Sequence, residues 1–262
     1  MNRRTLTELA ANPDLISGIY NYCDRWCEKC QFTSRCLLYA TEQEDPDDSP
    51  ESRDIQNKAF WDKLGRIFQE TKEMLTDWAD EAGIDLTQVD EEAFKNDDRR
   101  LDRASRHRLS SAGKKYAADV TEWFKGLDET MTAVTDVPPD EKELEQSQQF
   151  EDAADVIHWY QYQIAVKSIR ALSSRSDELE EMDTELADYP KDSDGSAKVA
   201  LVGIDRSISA WRLMQLAVPE RSESIVPLLL QLERLRRRVE KEFPNARAFI
   251  RPGFDEVLGA PN

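Results

Sequence analysis

The sequence predicts an all-α protein, with a bundle of about four to six long helices following an N-terminal segment that carries four cysteines. Glycine is scarce, at 9 of 262 residues, whereas strand-rich folds need many turns. Apolar residues recur at steps of three and four over long stretches, which is the period of an amphipathic helix. Six Trp, nine Phe and seven Tyr argue against general disorder, although 34% of the residues are charged.

Changes in composition predict four segments along the chain. Residues 1–40 contain every cysteine and form the predicted cysteine-rich, metal-binding segment. Residues 41–54, TEQEDPDDSPESRD, are acidic and lack apolar periodicity, so they predict a solvated linker. Residues 55–245 carry the helical periodicity of the bundle. Residues 246–262 are predicted to form an extended C-terminal tail.

The first half of the predicted bundle contains two long helices. The first places apolar residues on one face from Phe60 to Ala82, and Gly83 is a natural stop. Residues 84–97 are predicted to be mainly a connection. A single further helix is predicted from about residue 99 to residue 131.

The second half contains the helix that carries the most information, over residues 140–174. Because this stretch is apolar on most sides, we expect it to be central in the bundle. The acidic residues 178–196 are predicted to be partly looped, and residues 199–218 to form another buried helix. A last helix is predicted from near Ser224 to just before Pro244, with short up-and-down connections throughout.

The overall charge and the absence of long apolar runs narrow the classes of partner. The formal net charge is −18, and an acidic body repels phosphate backbones, so a nucleic-acid partner is disfavoured. No apolar run approaches the roughly 20 residues that span a bilayer, and the N-terminus lacks the apolar region of a secretory signal. The sequence therefore predicts a cytoplasmic protein with no membrane partner. Thiols stay reduced there, so clustered cysteines predict metal ligands before disulfides.

All four cysteines fall in one short stretch with the spacing C-x3-C-x2-C-x5-C: Cys23, Cys27, Cys30 and Cys36. Four soft thiolates suit either tetrahedral zinc or the corners of a [4Fe–4S] cluster. Structural zinc usually takes two C-x2–4-C pairs separated by a longer loop, and that loop is missing here. The spacing therefore favours the four cysteines as ligands of a [4Fe–4S] cluster, with zinc as the alternative.

The portion Cys27-EK-Cys30-QFTSR-Cys36, followed by LLYA, resembles cluster-binding segments of two known families. These are the WhiB-like iron–sulfur regulators and the endonuclease III type of DNA glycosylase. The resemblance implies that these three cysteines are cluster ligands. It implies nothing of either family's function, because the chain has no helix–hairpin–helix and no short basic tail. The C-x3-C-x2-C part also resembles the radical S-adenosylmethionine motif. That motif supplies three ligands and leaves one iron without a protein ligand, whereas Cys36 can supply a fourth ligand here.

A second constellation lies on the predicted central helices. Glu151, Asp155 and His158 share one face of a helix, and Asp205 lies on the 199–218 helix. These four are the candidate catalytic residues if the bundle is an enzyme. A ferritin-like metal site would need a Glu-x-x-His on each of two helices, and that pattern is incomplete here. A structural network is favoured instead, for example Asp205 with Arg212 or His158 with a carboxylate.

Taken together, the residues predict an iron–sulfur helical protein with a redox, sensing or structural role. Its partner would be an unidentified protein or redox partner. Two alternatives stay open, a zinc-stapled helical interaction module and a bundle enzyme with a carboxylate and histidine site. Two basic stretches, residues 99–108 and 234–241, are predicted to be solvated helix faces paired with acidic neighbours.

Overall fold

The computed structural model describes residues 8–9, 11–43, 49–86, 91–128, 141–180 and 191–255, and these residues are predominantly helical. The predicted all-α class and helical bundle are confirmed, and no strand occurs within the described ranges. Eight α-helices have described bounds: α1 Leu37–Gln43, α2 Pro50–Arg53, α3 Lys58–Ala82, α4 Glu91–Arg106, α5 Arg108–Asp128, α6 Glu141–Glu180, α7 Asp192–Ala217 and α8 Ser222–Glu242.

The chain forms two compact units, and their boundary differs from the predicted one. The first unit comprises Met1–Lys95 together with Pro252–Asn262, and the second comprises Asn96–Arg251. The predicted bundle of residues 55–245 is therefore divided, and α3 belongs to the unit that holds the cysteines. The predicted tail also differs, since Ala246–Ala248 form a 3₁₀ turn and residues 252–255 turn again. Residues 256–262 of that tail lie outside the described ranges.

In the first unit, part of the predicted acidic linker is helical. Leu37–Gln43 is the α1 helix, and α2 follows Ser49. The Ser52 backbone N–H donates to the Ser49 hydroxyl at 3.2 Å, and the Ser49 N–H donates to the Ser52 hydroxyl at 3.0 Å. This reciprocal cap satisfies backbone groups at the helix start without any apolar periodicity, so the periodicity gave no sign of it. Residues 44–48 of the predicted linker lie outside the described ranges.

The long α3 helix follows the sequence prediction closely in its bounds. It starts after Asn57, whose side chain accepts from the Ala59 N–H, and it ends at Gly83 with φ of 69°. That left-handed conformation costs glycine little, which makes it an efficient C-terminal stop. Much of the apolar face of α3 is exposed, however, so the core position implied by the predicted bundle is wrong for this helix.

The second unit is an up-and-down bundle of α5, α6, α7 and α8. Each helix packs on the next along the chain, and α8 closes the set by packing on α5. Near one end of the α5–α8 pair, the Trp123 indole donates to the Ser224 hydroxyl at 2.8 Å. Near the other end, Arg108 meets Glu242 at 2.9 Å, so these two helices run antiparallel. The first and last helices of an up-and-down four-helix bundle are antiparallel neighbours of this kind.

The core of the second unit is built from large side chains on all four helices. Tyr116, Tyr160 and Trp211 are fully buried, and the Trp211 indole donates to the Tyr116 hydroxyl at 2.9 Å. Helices α6 and α7 approach closely at Gly203, where an added Cβ would lie 2.9 Å from Tyr160 Cδ1. Glycine is therefore needed at that position for the packing distance between the two helices.

Several helix boundaries differ from the predicted ones, and α4 already begins at Glu91, inside the predicted connection of residues 84–97. The single helix predicted over residues 99–131 is two helices, because the chain breaks at His107. The His107 Nδ1 accepts from the Leu109 N–H at 3.3 Å, and the Ser110 hydroxyl donates to the Ala104 carbonyl at 2.7 Å. These side chains replace part of the backbone ladder and cap the two helix ends. Helix α7 also begins earlier than predicted, at Asp192, because Glu178 of α6 accepts from both the backbone and the hydroxyl of Ser193.

None of the helices in the described ranges combines the length and the apolar character that a bilayer crossing requires.

Candidate metal centre

The four cysteines lie in a short irregular segment of the first unit and are positioned by tight turns. Two 3₁₀ turns, Cys27–Lys29 and Thr33–Arg35, alternate with extended residues at Cys30 and Cys36. Each turn closes by a backbone hydrogen bond, from the Cys30 N–H to the Cys27 carbonyl and from the Cys36 N–H to the Thr33 carbonyl. Successive turns of this kind bring cysteines at short spacings back to one side of the chain.

Between Cys23 and Cys27 the chain reverses at Arg25. This residue has φ of 60°, and it is the one non-glycine residue of the described ranges with a positive φ. The preceding Asp24 carboxylate accepts from the Trp26 backbone N–H at 3.3 Å, which forms a local turn. A left-handed non-glycine residue carries strain, and such positions are concentrated at functional sites.

All four cysteines line one small cavity of about 20 Å³. They are free thiols, and each is half-buried. The Phe32 backbone N–H donates to Cys30 Sγ at 3.4 Å, and the Cys23 thiol lies 3.5 Å from the Tyr20 carbonyl, to which it donates. Hydrogen bonds from backbone N–H groups to sulfur are among the interactions that tune cluster-binding thiolates.

Electrostatic interactions also link the thiols. Burial raises the pKa of the Cys27 thiol most, and the charge of Glu42 raises this pKa further. Cys23 and Cys30 add to the rise because a thiolate at either position repels a thiolate at Cys27, while Arg25 opposes the shift. Cys23 and Cys30 are therefore close enough to Cys27 to influence the pKa of its thiol.

Aromatic side chains form much of the wall around this cavity. Four aromatic residues lie next to the cysteines in the sequence: Tyr20, Tyr22, Trp26 and Phe32. The lining includes three of these but not Tyr22, and it gains Tyr39 and Phe254. The Phe254 ring packs edge-on against Phe32 with centroids 5.0 Å apart. Phe254 was missed because it lies more than 200 residues after the last cysteine, and no local spacing can indicate that contact.

Gly253 allows the C-terminal residues to approach the cysteine segment. Its φ is 76°, and an added Cβ would lie 2.9 Å from Ile19 Cδ1 and 3.0 Å from Ile16 Cδ1. Both the backbone conformation and the space therefore require glycine at this position. The consequence is that Phe254 reaches the cavity only because its neighbour has no side chain.

One observation speaks against metal binding by these cysteines, and another speaks for it. Within the described ranges, no three or more His, Cys, Asp or Glu side chains come together in a group that could hold a single ion. The thiols nevertheless share one cavity, and the sulfur of Cys30 accepts a backbone hydrogen bond. The metal binding predicted for Cys23, Cys27, Cys30 and Cys36 therefore stays a prediction.

The second predicted constellation lies largely on the surface. Glu151, Asp155 and His158 are exposed on the outer face of α6, and His158 stacks on Phe124 with ring centroids 4.1 Å apart. The expectation that this part of α6 is enclosed on most sides is wrong for this face. The reason is that each helix of a four-helix bundle keeps one face toward solvent.

Asp205 is engaged in an ion-pair network on α7 and α8. It pairs with Arg247 at 2.5 Å and with Arg236 at 3.6 Å, and Arg247 also meets Glu240 at 2.8 Å. The favoured structural network is therefore present at Asp205, but its partners are these two arginines and not Arg212. This network attaches the turn after α8 to the bundle.

Several cations of each basic stretch are paired with acidic side chains. In the first stretch, Arg106 meets Asp102 at 2.9 Å, and Arg108 meets Glu242. In the second, Arg236 and Arg237 both contact Glu233, and the two arginines hold its pKa below the usual range. Such neutralisation leaves less positive charge for a phosphate backbone.

Comparison with known proteins adds no relative: no family model, curated protein or solved structure matches this chain.

Proposed function

We propose that the chain binds one [4Fe–4S] cluster through Cys23, Cys27, Cys30 and Cys36 and serves a redox, sensing or structural role. The observation that carries this proposal is that all four free cysteines of the chain line one cavity. A protein that used these thiols only as small apolar side chains would have no need to gather them in one segment.

The chemistry of the donors favours a cluster over zinc. Zinc requires all four sulfurs at about 2.3 Å from one point. The four thiolates of a cube each bind a different iron and surround a larger object. The sequence lacks the two separated C-x2–4-C pairs of structural zinc, so its spacing suits the second requirement better.

The four cysteines would together coordinate every iron of the cluster. Four protein ligands leave no iron open for a substrate, so the cluster would carry electrons, report on oxidants or hold the segment together. Cys27 also borders a second, more polar cavity. That cavity gives this one corner of the centre an opening toward solvent, where a redox partner or an oxidant would approach. The other residues of its lining are Arg25, Glu28, Tyr39, Glu42, Gln43, Arg53 and Lys63.

The test is purification without oxygen, followed by absorption spectroscopy and metal analysis. We expect a broad absorption at about 400 nm that bleaches on reduction, with about four iron and four sulfide per chain. Changing Cys30→Ser should abolish or strongly reduce this absorption. The matched control is Ser34→Ala, an exposed position between two of the cysteines, which should keep it.

Two outcomes contradict the iron–sulfur proposal. A colourless protein with about one zinc per chain, lost in Cys30→Ser, identifies the zinc-stapled module instead. A metal-free protein whose stability and thiol reactivity do not respond to added iron and sulfide leaves no metal role for the four cysteines.

A further inference from the structure

The α3 helix carries an exposed apolar stripe along its whole length. Exposed fractions are 55% for Trp61, 66% for Phe68, 53% for Leu75 and 53% for Trp78. Large aromatic and aliphatic side chains that are more than half exposed and contiguous are unusual on a monomer, and they indicate an interaction surface.

The spacing of this stripe is that of a helix-to-helix seam. Trp61, Phe68 and Leu75 are seven residues apart, and Leu64 and Trp78 fall three residues after members of that series. This alternation of steps of three and four is the pattern by which one helix packs along another. The stripe therefore fits a partner helix of similar length better than a small ligand.

The charges of α3 are segregated along its axis. Its first half, residues 58–68, carries three cations and one anion, whereas residues 69–82 carry five anions and one cation. A parallel neighbour of the same sequence would place like charges side by side. An antiparallel copy places the basic half of each helix beside the acidic half of the other. The two helix dipoles then point in opposite directions, which is the favourable arrangement for neighbouring dipoles.

From the seam and the charges we propose that α3 is a homodimerisation helix, which pairs antiparallel with α3 of a second copy of this chain. The apolar stripe runs from Trp61 to Ala82, so the two-fold axis falls near Thr71 and Lys72. Isologous contacts about such an axis are the commonest way in which identical chains assemble. This inference is independent of what the cysteines bind.

One pair of side chains gives the arrangement a specific test. Lys63 and Glu81 are 18 residues apart, which is about five full turns, so both lie on the same flank of the stripe. Along one helix they are separated by about 27 Å and cannot contact each other. In the antiparallel dimer, Lys63 of one copy lies near Glu81 of the second copy, and the contact occurs twice.

The first experiment measures the oligomeric state of the full chain by sedimentation equilibrium. We expect a dimer whose dissociation constant rises at least about tenfold in Phe68→Glu and in Leu75→Glu, because each buries a charge in the seam. The matched controls are Gln69→Glu and Thr76→Glu, which add the same charge one residue later on the polar side of α3. These should change the constant by less than about threefold.

The second experiment tests the direction of pairing by charge reversal. Lys63→Glu and Glu81→Lys should each weaken the dimer, and the double variant should restore it, since the two sites meet only between copies. Circular dichroism confirms that each variant keeps its helices.

Three results would overturn the proposal. One is a wild-type chain that stays monomeric at micromolar to near-millimolar concentration, with the stripe covered within the chain. Another is that Phe68→Glu and Leu75→Glu change the dissociation constant no more than their control variants do. The third is a double reversal that adds the two losses, which indicates a parallel or different seam.

Discussion

At the scale of single residues, a few side chains make contacts with residues that lie far away in the sequence, so their sequence neighbours do not predict those contacts. Trp211 and Tyr116 are both fully buried, on helices that are not consecutive in the chain, and one hydrogen bond joins them. Burial raises the pKa of the Tyr116 hydroxyl above its usual range, so this group stays protonated and polar inside the core. Phe254 has a similar role at the cysteine cavity, where a distant residue completes a local wall.

Removing the Tyr116 hydroxyl tests the value of this buried contact. Tyr116→Phe leaves the Trp211 indole N–H without that acceptor, and we expect the free energy of unfolding to fall by about 1–3 kcal/mol. Urea unfolding followed by circular dichroism measures it. The control is Tyr162→Phe, whose exposed hydroxyl meets Thr121 at 3.3 Å and should cost less than about 0.5 kcal/mol. If both variants lost the same free energy of unfolding, the buried hydrogen bond would contribute no more to stability than the exposed one.

At the scale of elements, close packing between helices decides where small residues are required. Helices α6 and α7 approach at Gly203, and the aromatic ring of Tyr160 occupies the space that a side chain would need. Not every helical glycine is required by such a close approach. At Gly126 in α5, the nearest atom to an added Cβ is the Arg221 guanidinium at 3.6 Å, which is an ordinary contact distance.

The same substitution should therefore have opposite signs at these two positions. Gly203→Ala should lower the free energy of unfolding by about 1–3 kcal/mol, because Tyr160 must shift to admit the methyl group. Gly126→Ala should raise it by about 0.5–1 kcal/mol, because alanine loses less backbone entropy in a helix. Chemical unfolding of both variants measures the difference. A stabilised Gly203→Ala variant would mean that the two helices can separate at little cost.

At the scale of the whole molecule, the excess of negative charge is the dominant long-range feature. The chain carries 53 acidic and 35 basic side chains. Many individual cations are paired, such as Arg247 between Asp205 and Glu240, so the surplus is spread over the remaining surface. Self-repulsion of this kind destabilises a compact state and is screened by salt.

Salt should consequently stabilise the fold. Raising sodium chloride from about 20 mM to about 300 mM should raise the melting temperature by roughly 2–4 °C, since screening weakens net repulsion more than it weakens exposed ion pairs. Differential scanning calorimetry measures the shift, and choline chloride at the same ionic strength separates screening from specific ion binding. A falling melting temperature would show that local pairs outweigh the net charge.

The sequence by itself determined the helical class, because periods of three and four and a shortage of glycine are local properties that survive without tertiary context. It also determined the cysteine segment and the bounds of α3, where Gly83 stops the helix. It did not show the capped helix after Ser49 or the break at His107, which depend on polar side chains bonding to nearby backbone.

Only the tertiary structure decided which residues pack against each face of a helix and against the cysteine segment. It placed Phe254 in the wall of the cysteine cavity, assigned Asp205 to Arg247 and Arg236, and left His158 on the outside of α6. It also left the stripe of α3 exposed, although its pattern resembles that of a core helix. The physical reason is that an apolar period shows which side of a helix avoids water, whereas the partner that covers that side lies far away in the sequence or on another chain.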